Sequence, residues 1–429
     1  MDAVVRSGVV IGVSGQPVRV EAVLRRGIPY FDIVGLAGSS VREARTRVEE
    51  AVRAAGIEWP RKRITLNLAP ANLKKDGSGL DLAIAVACLS ETLSLAPSKL
   101  ASVVFVGELG LHGQVRPVRG VLPVVEAAAA TGCRCAVVAQ ENAHEAALVP
   151  GLEVIGVANF SEVIRWLKDD IKPPDRLRPS AQGSDPVDRV DWSDVRGQSV
   201  ALRAAEIAAA GGHNLLLCGP PGTGKTMIAR RLATILPPLE KHERLAVLRV
   251  RSVSEGQLTD PDQRPFRAPH HTVSCAGMVG GGAPIRPGEV TRAHGGVLFL
   301  DELAEFAKPV LESLRQPLED GKLTLIRAAA EVTLPSNFML IAATNPCPCG
   351  YLGAEHRGCS CAPGSIERYQ RKLSGPLLDR IDLYVQVAQP RVEDVLDTRA
   401  VRGEASATVR ARVHAARRAQ IERQGCANA

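Results

Sequence analysis

The sequence predicts an α/β protein of two domains: a phosphate-loop core on a parallel sheet, preceded by a smaller α+β unit. Three observations predict it. Residues 168–191, KDDIKPPDRLRPSAQGSDPVDRVD, divide the chain, because Pro173, Pro174, Pro179 and Pro186 among scattered charges forbid regular structure. Downstream, HNLLLCGPPGTGKTMIARRLATIL reads as a buried strand, a glycine-rich turn and a helix. GGVLFLDEL reads as a second buried strand ending in two carboxylates. Apolar strands alternating with helices imply a parallel sheet covered on both faces.

Upstream of the divide the signals are mixed. VRVEAVLRRG and RKRITLNLAP read as strands, SSVREARTRVEEAVRAAG as an amphipathic helix, and VVFVGELGLHGQV has hairpin character. The expected boundaries are residues 1–167 for this unit, 168–191 for the linker, 192–390 for the core and 391–429 for a final helical segment.

Composition narrows the class. Of 429 residues, 45% are hydrophobic and 23% charged, ordinary values for a globular chain. The first residues, MDAVVRSGVVIGVSG, do not resemble a signal peptide, and the longest apolar run, LDLAIAVACL, stops at Ser90 and Glu91, short of a membrane span. A cytoplasmic protein with no membrane partner is expected. Its ten cysteines then read as metal ligands or buried thiols rather than disulfides. Net charge is +7, and residues 401–429 carry Arg402, Arg410, Arg412, Arg417, Arg418 and Arg423 against only Glu404 and Glu422. That balance suits a polyanion. With 7 Phe, 4 Tyr and 3 Trp, stacking platforms are few, so a nucleic acid would be held mainly by its phosphates.

The motif that carries chemistry is GPPGTGKT, which fits G-x-x-x-x-G-K-[ST]. Gly219, Pro220, Pro221, Gly222, Thr223 and Gly224 form a turn whose backbone N–H groups close on phosphate at a helix N-terminus. Lys225 neutralises the β and γ oxygens, and the Thr226 hydroxyl holds magnesium. In VLFLDE, Asp301 is placed to hold the same ion through water and Glu302 to polarise the attacking water. ATP and Mg2+ are the cofactors this implies. FMLIAATNP puts Asn345 at a strand tip, where its amide can orient that water. SGPLLDRIDL supplies Arg380, suited to act as a finger on a neighbouring subunit's nucleotide, which requires a ring.

These elements, in this order, resemble the AAA+ ATPases. RPFRAPHHTVSCAGMVGGGAPIRPGEVTRAHGGVLFLDEL, LRQPLEDGKLTLIRA, ATNPCPCGYLG and SGPLLDRIDL are similar to the magnesium-chelatase-like branch, the YifB/ComM family. The resemblance implies a hexameric ATPase with a helical lid, begun here by residues 391–429. A lid arginine that senses nucleotide in such proteins is not visible before CANA, residues 426–429. It also implies a DNA partner and branch migration or helicase activity in recombination during natural transformation. Chelatase-type or protein-remodelling activity, and a nucleotide-binding scaffold without turnover, are the alternatives.

The N-terminal unit resembles the protease domain of Lon through KDGSGLDLAIAVA and VGELGLHGQVRPVRGVLP. That chemistry needs a serine activated by a lysine. Laid on the Lon pattern, the nucleophile position falls on Gly79, beside Ser78, and the lysine position on Leu122, so a domain without its catalytic dyad is expected. Lys74 and Lys75 read as a solvated loop, with phosphate contact as the second reading.

Two features remain. CPCGYLGAEHRGCSC spaces Cys347, Cys349, Cys359 and Cys361 as C-x-C, nine residues, C-x-C, which offers either a zinc site or reduced thiols in a turn-rich loop. Cys88, Cys133, Cys135, Cys218, Cys275 and Cys426 read as buried small residues. His270 and His271 read as hydrogen-bonding residues of a pore loop. DGKLTLIRAAAEVTLPSN reads as a hairpin, KLTLIR against AEVTLP, whose Lys322 and Arg327 are candidate DNA contacts.

Overall fold

The computed structural model describes residues 4–168, 190–256, 262–282, 285–327, 330–354, 357–373, 375–389 and 403–425. It divides into two compact units, Met1–Gly183 with Leu248–Thr259, and Ser184–Val247 with Asp260–Ala429. Leu248–Thr259 thus groups with the first unit, whereas the sequence reading keeps it in the core. The linker, the segment around 391–402 and the final CANA lie largely outside the described residues. Among the described residues, no helix is long and apolar enough to cross a membrane.

The first unit is a seven-stranded mixed sheet. β1 (Val4–Ile11) and β2 (Ser14–Arg25) form an antiparallel hairpin, and β3 (Tyr30–Val34) lies parallel to β4 (Arg63–Ala69), which runs antiparallel to β2. β5 (Val103–Val106) follows β1, while β6 (Glu108–Leu109) and β7 (Val115–Arg116) make a short separate hairpin. β8 (Cys135–Ala139) and β9 (Glu153–Val157) complete the order β3-β4-β2-β1-β5-β8-β9. The helix Asp81–Leu89 is buried at every position, as a helix apolar all round must be. The amphipathic stretch forms two helices, Ser39–Arg42 and Ala44–Ala54, whose inward residues Val41, Val48 and Val52 keep the period expected.

The second unit is built on five parallel strands, β10 (Leu215–Cys218), β11 (Phe266–Arg267), β14 (Val297–Leu300), β17 (Met339–Thr344) and β18 (Leu383–Gln386). Their order is β11-β14-β17-β10-β18. β12 (Gly280–Gly281) with β13 (Arg286–Pro287), and β15 (Lys322–Arg327) with β16 (Ala330–Pro335), are separate hairpins. Strand residues alternate between two apolar clusters. Leu215, Leu217, Phe299 and Ile341 face the helices Ser199–Gly211, Lys225–Ile235 and Ser406–Gln424, while Leu216, Leu298, Leu300 and Leu340 join Leu303, Leu311 and Leu314. Burial on both faces is why these strands read as continuous apolar runs.

The final helix docks through specific contacts. Val409 and Val413 are in the core, Ser406 Oγ lies 2.8 Å from Thr234 Oγ1, and Asp191 accepts the Ser406 N–H. Arg412 pairs with Glu206 and Glu404, and Arg417 donates to the carbonyls of Ala209 and Ala210. Two of the C-terminal arginines that suit a polyanion by charge alone are thus engaged in holding the helix in place.

Candidate active site

The phosphate loop joins β10 to the helix Lys225–Ile235 at the C-terminal edge of the sheet, where ligands of parallel sheets bind. Its glycines have separate reasons. A Cβ on Gly219 would sit 2.2 Å from the Val387 carbonyl oxygen, so the close approach of the chain just after β18 requires glycine there. Gly222 and Gly224 have φ of +79° and +83°, and a Cβ on either would meet nothing within 4 Å, so the loop's open side is bare backbone. Thr223 Oγ1 donates to the Pro220 carbonyl at 3.0 Å, and Gln198 Nε2 ties the Thr223 and Ala388 carbonyls together at 3.1 and 2.8 Å.

Lys225 is buried, with Nζ donating to the carbonyls of Gly219 at 2.7 Å and Pro220 at 2.8 Å, and reaching Asn345 Oδ1 at 3.4 Å. Burial pushes its amine down from the usual lysine value, and the charge of Asp301 opposes that. Thr226 Oγ1 donates to Asp301 Oδ2 at 2.7 Å, while Asp301 Oδ1 accepts the Glu302 N–H at 3.0 Å. Register explains the convergence: Cys218 pairs with Thr344, and Leu300 with Ala342, so the three strand tips end together. An open N–H cradle, a buried amine, and a hydroxyl beside a carboxylate fit a nucleotide triphosphate with its magnesium.

Glu302 adopts a left-handed backbone, φ 53°, a region that non-glycine residues occupy at a cost. Its Oε2 lies 3.4 Å from His271 Nδ1, and the His271 ring meets Phe306 edge-on at 6.4 Å. The sequence reading places His271 in a pore loop, but the residue sits at the carboxylate expected to activate water. No sequence signal could have found it, because only the strand register places it there. β11 pairs with β14 through Phe266 opposite Val297 and Arg267 opposite Leu298, and carrying that offset forward sets His271 opposite Glu302.

A family model described as Magnesium chelatase, subunit ChlI, matches residues 191–395, and a second, Subunit ChlI of Mg-chelatase, matches residues 20–142. The chain is 43% identical over its whole length to the uncharacterized protein YifB of Salmonella typhimurium, spanning 84% of that protein. It is equally similar, at 43% and the same 84% coverage, to the competence protein ComM of Haemophilus influenzae. The chain belongs to the magnesium-chelatase-like AAA+ ATPases of the YifB/ComM family. A shorter similarity, 31% identity over 37% of the chain and 33% of the relative, links it to Lon protease 2 of Bacillus subtilis.

Within this AAA+ core, Lys225, Thr226, Asp301 and Asn345 come together, and Glu302 joins them through Asp301. Arg380 does not. It pairs with Glu319 and is half-exposed, and its carbonyl accepts from Asn214 Nδ2 at 2.8 Å. The hairpin β15–β16 forms in the expected register, Lys322 opposite Pro335 and Thr324 opposite Thr333. Lys322 is exposed, and Arg327 ends the first strand of the hairpin.

In the Lon-like unit, Ser78 hydrogen-bonds the Glu108 carboxylate. Leu122 is fully buried, its N–H donating to Glu145 Oε1 at 2.9 Å. Gly79 has room for a side chain, the nearest atom to an added Cβ being Val118 Cγ2 at 3.6 Å, so the missing side chain is not a steric demand. Lys75 corrects the sequence reading. It is fully buried, with Nζ donating to the carbonyls of Gly35 and Pro70, and so is neither solvated nor open to phosphate.

The cysteine quartet does assemble, with all four Sγ atoms within 4.8 Å of one another. Hydrogen bonds from the Tyr351 and Ser360 N–H groups hold the Cys349 thiol down, at about 6. Cys88, Cys133, Cys135 and Cys218 are buried as expected, whereas Cys275 is exposed and Cys426 lies outside the described residues.

Proposed function

We propose that the chain is an ATP-hydrolysing motor that works as a hexameric ring on DNA, with branch migration or helicase action in recombination during natural transformation as its task. The observation that carries the ATPase reading is the 2.7 Å hydrogen bond from Thr226 to Asp301 beside the buried Lys225, with Asn345 within 3.4 Å of its amine.

In this reading the backbone N–H groups of Gly222, Thr223 and Gly224 and the Lys225 amine bind the phosphate chain and spread its negative charge. Thr226 and Asp301 hold magnesium, which supplies charge neutralisation at the phosphate oxygens. Asn345 orients the attacking water, and Glu302 takes its proton as the water oxygen bonds to the γ-phosphorus and the bond to the bridging oxygen breaks. The products are ADP and inorganic phosphate. Arg380, standing apart from its own chain's loop, serves the neighbour's nucleotide, and the ring follows from that role.

The DNA reading draws on the similarity to a protein named for competence and on the cation Lys322 of the β15–β16 hairpin. A second reading, chelatase-type or protein-remodelling action, is favoured by the magnesium chelatase family model over residues 191–395. Steady-state ATP hydrolysis with and without branched duplex DNA separates the two. Stimulation by DNA is expected. A rate indifferent to every DNA form would overturn the DNA reading, and no hydrolysis at all would overturn the motor.

A further inference from the structure

We infer that Cys347, Cys349, Cys359 and Cys361 bind one zinc ion as a closed tetrathiolate knuckle, and that this knuckle fixes Asn345 against the phosphate loop. The first half rests on the sulfur geometry alone. The second takes its functional meaning from the ATPase reading.

Sulfur spacing is the primary observation. Cys347 Sγ lies 3.4 Å from Cys349 Sγ and 3.7 Å from Cys359 Sγ, and Cys349 and Cys359 are 3.6 Å apart. A tetrahedron with Zn–S bonds of ~2.3 Å has edges of roughly 3.8 Å, so these separations suit ligands of one ion. They do not suit a disulfide, which joins sulfurs at ~2.05 Å and in pairs. Here three sulfurs stand mutually close and the fourth, Cys361, is in the same group.

Backbone groups around the sulfurs point the same way. Cys349 N–H donates to Cys361 Sγ at 3.4 Å, and Cys361 N–H donates to Cys359 Sγ at 3.4 Å. Such N–H donors offset the negative charge that four thiolates bring to a metal. Four protein ligands leave no open position, which is the mark of a structural site rather than a catalytic one. Binding leaves four thiolates on one Zn2+ and releases the protons that the thiols still carry.

The knuckle's position gives it a consequence. Cys347 follows Asn345 and Pro346 at the tip of β17, and the Gly350 N–H closes a turn on the Cys347 carbonyl at 2.9 Å. A Cβ on Gly350 would lie 2.7 Å from Pro221 Cδ and 3.7 Å from Asn345 Cγ, so the knuckle backbone abuts both the phosphate loop and Asn345. At its far end begins the helix Pro363–Gln370, whose Tyr369 is buried and whose Gln370 Nε2 donates to the Pro346 carbonyl at 3.5 Å. Both ends of the cysteine loop therefore close beside Asn345, one on its side chain and the other on the adjoining Pro346. A cross-link in the middle removes the conformational freedom that would otherwise loosen that grip.

The test uses the full chain, purified without chelator. Metal content, and release of zinc by an organomercurial, are measured beside thiol titration, and hydrogen exchange of peptides spanning residues 339–350 is compared before and after zinc removal. About one zinc per chain is expected, with Cys359→Ala and Cys361→Ala losing it and Cys361→His retaining it. Exchange at residues 339–350 should rise severalfold in the zinc-free protein and return to its parent value in Cys361→His. Metal-free parent protein with four freely titrating thiols, or undiminished zinc in both alanine variants, would overturn the site. Bound zinc whose removal leaves exchange unchanged would overturn the coupling to Asn345. None of these readouts needs hydrolysis, so a chain that binds zinc but turns over no ATP defeats the motor reading alone.

Discussion

His271 Nδ1 stands 3.4 Å from Glu302 Oε2, and Glu302 holds a left-handed backbone at φ 53° just past the end of β14. The carboxylate is half-exposed, so without His271 it has many rotamers open to it. This contact gives the base a direction. His271→Ala should therefore lower kcat on the order of 10- to 100-fold, the penalty of a misplaced catalytic group, while nucleotide affinity stays within about twofold. His271→Gln, which keeps a polar partner for the carboxylate, should recover part of the rate. Steady-state kinetics with a separate nucleotide-binding titration checks this. Equal kcat in parent and alanine variant would remove His271 from the mechanism.

Glu302→Gln isolates the proton acceptor itself. The amide keeps the size and the His271 contact but cannot take a proton from water. Hydrolysis should fall by about 10²–10⁴, the usual worth of a general base, with ATP binding retained. The variant should trap nucleotide, seen as a stable ATP-loaded species in a filter or fluorescence assay. Turnover at the parent rate would mean another group activates the water.

Asp191 links the first turn of the core to the last helix. Its carboxylate accepts from Ser193 Oγ at 2.7 Å, from the Ser193 N–H at 2.9 Å and from the Ser406 N–H, and these bonds, the Ser193 hydroxyl foremost, draw it down to about 2. A carboxyl held below its unfolded value stabilises the fold above that value and loses the effect as pH falls through the folded one. Asp191→Ala should cost ~0.5–2 kcal/mol at neutral pH, as removal of a cap does, with the gap from parent narrowing as pH drops from about 4 toward about 2. Denaturant melts across that range measure the gap. A gap that does not change with pH would mean the carboxylate charge is irrelevant to docking.

How much of the site is legible in the sequence follows from how local each signal is. The phosphate loop and Asp301 are contiguous with their strands, so GPPGTGKT and VLFLDE carry their own context, and the hairpin KLTLIR against AEVTLP announces its register through alternation. His271 escapes such reading because the strand that places it, β11, spans only Phe266–Arg267 between prolines, too short for any period to show. Lys75 escapes it for another reason. Flanked by Lys74 and Asp76 it looks solvated, but its N–H donates to the Leu36 carbonyl at 3.1 Å and pins the residue inside the fold, where its amine must find carbonyls. The cysteine quartet is visible as spacing, yet only the fold shows that its loop returns to Asn345.

The β15–β16 hairpin is the place to test the DNA contact. Its burial alternates, with Leu323 inward and Ile326 74% exposed, so one face is free while the other packs on its own unit. Among the described residues Lys322 forms no salt bridge, whereas Arg380, Arg412 and Arg267 are each matched by a carboxylate. A cation without a protein partner displaces counterions when it meets phosphate, and that release sets the salt dependence of binding. Replacing Lys322 and Arg327 together with alanine should weaken binding alike for all DNA sequences and reduce the slope of log affinity against log salt by roughly 0.9 for each phosphate no longer neutralised. DNA-stimulated hydrolysis should disappear while basal hydrolysis persists, because Lys225, Thr226, Asp301 and Glu302 are untouched. The checks are titrations of fluorescent duplex at several salt concentrations, run beside the ATPase assay. A double variant that kept the parent slope and full stimulation would place the DNA contact on another surface.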